Sequence, residues 1–240
     1  MKIALIGHGA MGRLVEARAL EEGHRVALVL TSSDMLQRVE EVAERLKQSA
    51  DVAIDFSVAD AVLNNISACM TAGVPLVEGT TGWNREGVNV ERFVEKNKGA
   101  LVYGANFSIG VNLFYRVIER AGELFEGLDE YAPFIEEAHH ARKKDAPSGT
   151  ALRLKELLSA RLKREIPVSS TRAGFIPGTH RVGFDGLADQ ITLTHTARSR
   201  EGFAAGALLA ARWIIGRTGV YEFSEAFDEI LKERMMKKWL

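Results

Sequence analysis

The segment Glu137-Ala138-His139-His140-Ala141-Arg142-Lys143-Lys144-Asp145-Ala146-Pro147-Ser148-Gly149-Thr150 places two imidazoles, three cations and the start of a helix within fourteen residues. Imidazole is the side chain whose charge changes near neutral pH. A helix opening at Ser-Gly-Thr presents backbone N–H groups with no acceptor inside the helix, and these attract carboxylate or phosphate. Together these residue types suit an anionic substrate that must receive a proton.

A folded core has to position that segment. A chain of 240 residues, 46% hydrophobic and 26% charged, is long enough to bury one, as a single large domain or two smaller ones. Its 31 Lys+Arg balance 32 Asp+Glu, so no basic field favours nucleic acid or a membrane surface, and any cation-rich site must be local. The lone Cys69 excludes an intrachain disulfide and a multi-cysteine metal site; it reads as a small buried hydrophobe on a helix and suits a reducing cytosol. The apolar run at the N-terminus is too short for a signal peptide, and no stretch reaches the roughly 18 apolar residues of a membrane span. A soluble, cytoplasmic protein with neither nucleic-acid nor membrane partner is expected.

Short apolar runs alternate with helical periodicity over the first hundred residues. They predict strands at Lys2–Ile6, Arg25–Leu30, Val52–Phe56, Val74–Val77 and Ala100–Tyr103, with helices at Ala10–Glu22, Met35–Gln48, Ala59–Ala72 and Arg85–Lys98. This is an α/β pattern, a Rossmann-type, doubly wound dinucleotide-binding layout. Beyond Ser108-Ile109-Gly110 the pattern changes to a helix at Val111–Phe125, then strands at Tyr131–Ala138, Val168–Ala173, His180–Phe184 and Gln190–Ala197, interrupted by a helix from Ser148 to Lys163. That predicts an α+β domain with a mixed or antiparallel sheet. A small-residue helix at Ala204–Ile215 is expected to return to the first domain. Residues 1–108 and 200–240 are thus expected to form the dinucleotide-binding domain, and 109–199 the substrate-binding and oligomerisation domain, with hinges near Ser108–Gly110 and Ser199–Gly202 that let the domains close over their ligands.

Gly7-His8-Gly9-Ala10-Met11-Gly12 lies between the first strand and the first helix, the context a phosphate-binding glycine motif requires. Gly7 permits the tight turn, Gly9 lets backbone approach a pyrophosphate, and Gly12 allows close helix–strand packing. Two further loops follow strand ends. Glu78-Gly79-Thr80-Thr81-Gly82 offers hydroxyls to a ribose or nicotinamide amide, and Gly104-Ala105-Asn106-Phe107-Ser108 adds an amide and an aromatic ring. At the end of the second strand, where NAD enzymes usually place a carboxylate for the ribose hydroxyls, stand Thr31, Ser32 and Ser33. Hydroxyls there favour tolerance of NADPH, while Asp34 within reach of the ribose keeps NADH open.

With these motifs in order, the chain resembles the 4-hydroxy-tetrahydrodipicolinate (dihydrodipicolinate) reductase family of bacterial diaminopimelate and lysine biosynthesis, almost end to end. The resemblance is carried by His139-His140, Lys143 and Asp145-Ala146-Pro147-Ser148-Gly149-Thr150, with support from Glu78–Gly82, Asn106–Ser108, Arg172-Ala173-Gly174, Gly178-Thr179-His180 and the stretch from Ile191 to Ala204. It implies that NADPH or NADH gives a hydride to C4 of a cyclic unsaturated imine dicarboxylate, that His139 is the proton donor and that Lys143 assists. It also implies that His140, Gly149 and Thr150 bind substrate, that the cofactor lies along Gly7–Gly12, Gly79–Thr81 and Gly104–Phe107, and that the chain forms a homotetramer. Chemistry agrees: hydride addition leaves electron density that needs an acid, and two carboxylates need a point charge such as Lys143 and the amides of Ser148, Gly149 and Thr150.

The chain departs from many members at Met11, where they carry an arginine, and at Thr31, which bears on cofactor preference. The stretches between Leu30 and Asp51 and between Ile166 and Thr171 are also short relative to longer members. No metal site is expected, because adjacent His139 and His140 project to opposite faces of a strand and no cysteine or matched histidine accompanies them. On residues alone His8, His24, His180 and His195 read as structural, and Arg142 and Lys144 as solvated charge. Two alternatives remain open from the sequence, another Rossmann dehydrogenase acting on an amino acid or aldehyde, and a non-catalytic NADPH-sensing protein.

Overall fold

The structure, a computed structural model, describes residues 1–34, 38–83 and 89–236. In chain order its elements are β1 (Lys2–Ile6), α1 (Ala10–Glu21), β2 (Arg25–Leu30), α2 (Val39–Ser49), β3 (Val52–Asp55), α3 (Val62–Ala72), β4 (Leu76–Glu78), α4 (Val90–Lys96), β5 (Ala100–Tyr103), α5 (Ile109–Leu124), β6 (Ala132–His139), α6 (Gly149–Leu162), β7 (Val168–Arg172), β8 (Thr179–Asp185), β9 (Gln190–Thr196), α7 (Glu201–Ile214), β10 (Gly219–Glu222) and α8 (Phe223–Met236). They group into two compact units, Met1–Ser108 with Arg200–Leu240, and Ile109–Ser199.

The first unit is built on six parallel strands in the order β10-β5-β4-β3-β1-β2. Strands covered on both faces must be apolar at successive positions, and Ile3 to Ile6 and Val52 to Ile54 are all fully buried. Ala4, Ile6, Ala53, Leu76 and Leu101 pack against Val42 and Leu46 of α2, Ile66 and Cys69 of α3, and Val90 and Val94 of α4. Each buried branched aliphatic side chain contributes about 1.5–3 kcal/mol of burial free energy. The return helix α7 packs against α1 and against β3 to β5. Its run of glycine and alanine has a steric cause, since a Cβ at Gly206 would collide with the Phe107 carbonyl.

Several boundaries differ from the sequence expectation. The fourth strand starts at Leu76 rather than Val74 because Pro75 has no N–H to donate. The helix expected from Ala59 opens as a 3-10 turn over Ala59–Ala61 before α3 begins. Of the helices expected at Met35–Gln48 and Arg85–Lys98, residues 35–37 and 85–88 lie outside the described residues. The described parts start at Val39 and at Val90, the latter capped by the Asn89 side chain accepting from the Arg92 N–H at 2.8 Å. The strand β10 and helix α8 lie beyond the elements expected from sequence.

The second unit holds a mixed sheet in the order β7-β6-β8-β9, parallel between β6 and β7 and antiparallel elsewhere. Side chains of a strand alternate between faces. Pro133, Ile135 and Glu137 of β6 are buried, and Glu136 between them is exposed. The buried face packs under α5 and α6 through Phe114, Ile118, Leu154, Leu158, Val182 and Phe184. The other face carries a Glu136–Arg181 ion pair at 2.8 Å and the exposed Thr192, Thr194 and Thr196. No helix among the described residues is long and apolar enough to cross a membrane.

Candidate active site

In the second unit, strand periodicity puts Ile135, Glu137 and His139 on one face of β6. Strand register sets the neighbours: Glu137 lies beside His180 of β8, and His139 beside Arg172 of β7. His139 Nδ1 is hydrogen-bonded to Glu137 Oε2. Arg172 grips the same carboxylate with both terminal nitrogens, Nη1 to Oε2 at 2.9 Å and Nη2 to Oε1 at 2.6 Å, the bidentate geometry that makes such pairs strong. The Ser148 N–H donates to Oε1 at 3.3 Å. Burial pushes the Glu137 carboxyl up, but its bonds to Arg172, Ser170 and His139 outweigh it and hold it at about 2.

Burial also lowers the His139 imidazole, partly offset by Glu137 and reinforced by the nearby charges of Lys143 and Arg172. Glu137 accepts the Nδ1 proton, so Nε2 is the atom left to exchange a proton outward. Gly178 (φ +123°) keeps that edge uncovered, because a Cβ there would stand 3.2 Å from Cδ2 and 3.3 Å from Nε2 of the ring. His180 packs edge-on against His139 at 5.1 Å between ring centroids and is pushed down to about 4, chiefly by burial.

The segment after β6 is tied down by backbone. Ala173 N–H donates to the His139 carbonyl, Ala141 N–H to the Gly174 carbonyl, and Arg172 Nη2 to the Asp145 carbonyl at 2.6 Å. Lys143 sits in the resulting turn, its ammonium 2.8 Å from Asp145 Oδ1. His140 has a buried Nδ1 with no hydrogen-bond partner among the described residues. Arg142 and Lys144 are exposed.

At the start of α6 stands Ser148. It is 2% exposed, and its hydroxyl accepts from the Ala151 N–H at 3.2 Å and meets His180 Nε2 at 2.9 Å. The hydroxyl is the helix cap and a support for the histidines. Gly149 faces open space, and the Thr150 hydroxyl bonds the Tyr115 phenol of α5.

Glu137, Arg172 and His180 were not assigned roles from sequence, although Glu137 and His139 share the two-residue spacing that puts them on one strand face. Donor atoms of Glu137, His139 and His180 lie within 4.8 Å of one another. Both Glu137 oxygens are engaged by a guanidinium, however, so the cluster is already charge-compensated and is arranged to hold a proton rather than a cation.

In the first unit, loops after β1, β3, β4 and β5 lie along the carboxyl edge of the sheet, and β1 and β3 flank the point where chain order reverses, the usual ligand crevice of such sheets. Gly7 (φ +86°) and Gly12 are required by contact: a Cβ at the first would strike the Phe56 carbonyl, and one at the second the Gly7 carbonyl. Gly9 faces open space, no side chain among the described residues caps α1, and its first turn carries no acid. That cradle of bare backbone N–H groups fits a pyrophosphate. Of the other loop residues, His8 bonds Glu16 at 2.7 Å, Ala10 is exposed and Met11 is half-buried.

At the end of β2, Thr31 donates its N–H and hydroxyl to Asp34 Oδ2 at 2.8 and 3.0 Å, while Asp34 Oδ1 pairs with Arg45 at 2.7 Å. The bond from Arg45 is the main reason the Asp34 carboxyl is held at about 2. This acid is turned back onto its own loop. Gly79 lies over the Phe56 ring, Thr80 and Thr81 follow it, and Gly104 lies against Phe223. Ala105 is exposed, and Asn106 Oδ1 accepts from the Ser108 N–H at 2.9 Å. The Phe107 side chain turns inward. Its ring is 1% exposed and packs on Phe223 and Phe56 at centroid distances of 4.5 and 6.2 Å, supporting the loop from the core rather than lining an open surface.

Residues 1–107 match the family model described as dihydrodipicolinate reductase, N-terminus, and residues 110–227 the model described as dihydrodipicolinate reductase, C-terminus. The chain is 35% identical to a 4-hydroxy-tetrahydrodipicolinate reductase of Christiangramia forsetii over 97% of this chain and 100% of that one. It is 36% identical to the protein of the same name from Archaeoglobus fulgidus over 95% of this chain and 100% of that one. Among solved structures, a dipicolinate-bound dihydrodipicolinate reductase from Paenisporosarcina shares the fold with a TM-score of 0.77 at 22% identity, covering 92% of this chain and 97% of that one. A sheet-edge cradle for a dinucleotide, a Glu137-backed histidine and matches to both halves of the family leave one conclusion: the chain belongs to the dihydrodipicolinate reductase family.

Proposed function

We propose that the chain reduces 4-hydroxy-tetrahydrodipicolinate, by way of dihydrodipicolinate, to tetrahydrodipicolinate in diaminopimelate and lysine biosynthesis, using NAD(P)H. The observation that carries this reading is the His139–Glu137–Arg172 network at the end of β6, beside Lys143 and the first turn of α6. It supplies an acid and two kinds of anion anchor, which the competing dehydrogenase and sensor readings do not require. The nicotinamide, when bound, supplies the hydride for C4 of the substrate ring.

The chain's residues do the rest. Gly7, Gly9 and Gly12 let backbone approach the pyrophosphate, with His8, Ala10 and Met11 completing that turn. Thr31 stands at the adenosine ribose, and Gly79, Thr80, Thr81, Gly104, Ala105 and Asn106 at the nicotinamide end, with Phe107 acting through its backbone and its support of the loop. His139 delivers a proton from Nε2 as electron density develops on the ring, while Glu137 fixes the tautomer and stabilises the imidazolium. Lys143 exchanges Asp145 for a substrate carboxylate. The N–H groups of Gly149 and Thr150, held by the Ser148 cap, take the other carboxylate, and the unpartnered Nδ1 of His140 offers a further hydrogen bond.

The lowered His139 pKa gives a signed pH dependence. In the free protein the acid form is lost as pH rises through a value lowered from the ordinary histidine pKa, so kcat/KM falls there. A bound dianion favours the imidazolium, so the corresponding limb of kcat lies at higher pH. Rate profiles of the two parameters check this, and coincident limbs contradict it.

The missing acid at Thr31 and the engaged Asp34 support use of NADPH as well as NADH. The exposed face of the mixed sheet supports a homotetramer. Light scattering is expected to give four times the chain mass, and a monomer contradicts that assembly. The activity itself is tested by supplying the product of dihydrodipicolinate synthase and following oxidation of NADPH and of NADH. Oxidation that depends on that product is expected, and none with either cofactor overturns the reading.

A further inference from the structure

Beneath the Gly79–Gly82 loop lie two carboxylates that the mechanism above does not use. Asp55 ends β3 and Glu78 ends β4, the two are partners in the parallel ladder, and both are 0% exposed. They share a face of the sheet with their in-register neighbours Ile6 of β1 and Tyr103 of β5. From α3 they are faced by the Asn65 amide and by the Cys69 thiol, which burial keeps neutral. Val90 and Val94 of α4, on the same side, are apolar. Neither acid has an ion-pair partner among the described residues.

The donors around the pair are unevenly shared. Asp55 Oδ1 accepts from the Ser57 N–H at 2.7 Å and the Thr80 hydroxyl at 3.4 Å, and Oδ2 accepts from Asn65 Nδ2 at 2.6 Å. Glu78 Oε1 accepts from the Thr80 N–H at 2.6 Å, but Oε2 is buried with no donor among the described residues. Two ionised carboxylates side by side repel, and a buried charged oxygen without a donor is costly. One proton on Glu78 Oε2 removes both faults.

We propose that Glu78 is held as the neutral acid, that it donates its proton to the Asp55 carboxylate, and that this pair is a positioning element for Thr80 and Ser57 in the cofactor loops. The assignment of the proton to Glu78 agrees with burial and the Asp55 charge, which drive the Glu78 carboxyl well above the usual range. Burial raises the Asp55 carboxyl too, opposed by its bonds to Ser57 and Asn65. Thr80 is then held through both its N–H and its hydroxyl, and the hydroxyl in turn accepts from the Ser57 N–H at 3.1 Å. Asn65 bridges Asp55 and the Ser57 hydroxyl. Loss of the proton would set two carboxylate charges against each other beneath Thr80 and place a second negative charge under a loop that takes an anionic dinucleotide. The positioning role rests on the reading that Gly79–Thr81 contacts the nicotinamide cofactor; the shared proton does not.

The experiment compares the native protein with Glu78→Gln, which keeps a neutral group able to accept from Thr80 and donate to Asp55, and with Glu78→Leu, which keeps neither. Infrared spectroscopy at neutral pH is expected to show a buried carboxylic-acid C=O band that Glu78→Gln lacks; its absence from the native protein overturns the proposal. In fluorescence titrations with NADPH and NADH at neutral pH, Glu78→Gln is expected to bind within about twofold of native and Glu78→Leu about tenfold more weakly. Equal weakening of both variants, or of neither, overturns the positioning role. Native affinity is further expected to fall towards alkaline pH while that of Glu78→Gln does not, and superimposable profiles count against the proposal. A native protein that binds neither dinucleotide would instead overturn the cofactor reading, and the infrared comparison would still decide whether the pair holds a proton.

Discussion

His139→Gln is expected to lower kcat by about 10²-fold or more, with kcat/KM falling by a similar factor and dicarboxylate binding kept. The reason is geometric. The imidazole is fixed at one nitrogen by Glu137 and left bare at the other by Gly178, so its only free function is at Nε2. Glutamine can accept or donate a hydrogen bond there but cannot deliver a proton. An interaction made only in the transition state lowers kcat and kcat/KM together, whereas an anchor for the ground-state substrate raises KM alone. The variant should also lose the alkaline limb of the rate profile. Unchanged turnover, or a loss confined to KM, would remove His139 from the chemistry.

Glu137→Gln should cost about 3 kcal/mol of stability, because it leaves a guanidinium without its counter-charge at a site where the Glu137 side chain is 0% and the Arg172 side chain 17% exposed. Turnover should fall as well, since an amide at position 137 donates as readily as it accepts and no longer fixes the proton on His139 Nδ1. The sign of the pH dependence follows from the Glu137 carboxyl being held at about 2, below its ordinary value. Its stabilisation is complete above the usual carboxylate range and is lost as pH falls towards 2. Urea unfolding should therefore separate native protein and variant widely at neutral pH and little in acid. Adding Arg172→Gln to the variant should recover part of the loss, since the unpaired charge is then removed. Equal stability of Glu137→Gln and native protein at neutral pH would contradict the network.

Much of the fold was legible because local pattern and burial coincide. Lys2–Ile6, Arg25–Leu30 and Ala100–Tyr103 emerge as strands with the expected bounds, each an apolar run in a sheet covered on both faces. The second-unit strands were readable from alternation, but their partners were not. Register is a long-range property, and it brings Arg172 and His180 to the Glu137–His139 edge. For the same reason β10 went unseen: four residues gain strand character only by pairing with β5. Helix α8 had a signal in the spacing of Phe223, Phe227 and Ile230, which are all buried.

The glycines of the phosphate loop were readable because their jobs are backbone jobs, fixed by sequence position. Phe107 and Ser148 show the limit. Their neighbourhoods were identified, but whether a loop side chain points to a ligand or into the core depends on what packs behind it, here Phe223 and His180. The proton expected between Asp55 and Glu78 belongs to the same class, since two acids separated in sequence meet only through the pairing of β3 and β4.

The most direct test of the proposed chemistry is isotope transfer. Native protein is given the synthase product and a reduced cofactor deuterated at both hydrogens of nicotinamide C4, and the product is analysed by mass spectrometry. Tetrahydrodipicolinate carrying a single deuterium at ring C4 is expected. Unlabelled product, or cofactor oxidation without a reduced dicarboxylate, would contradict hydride transfer to this substrate.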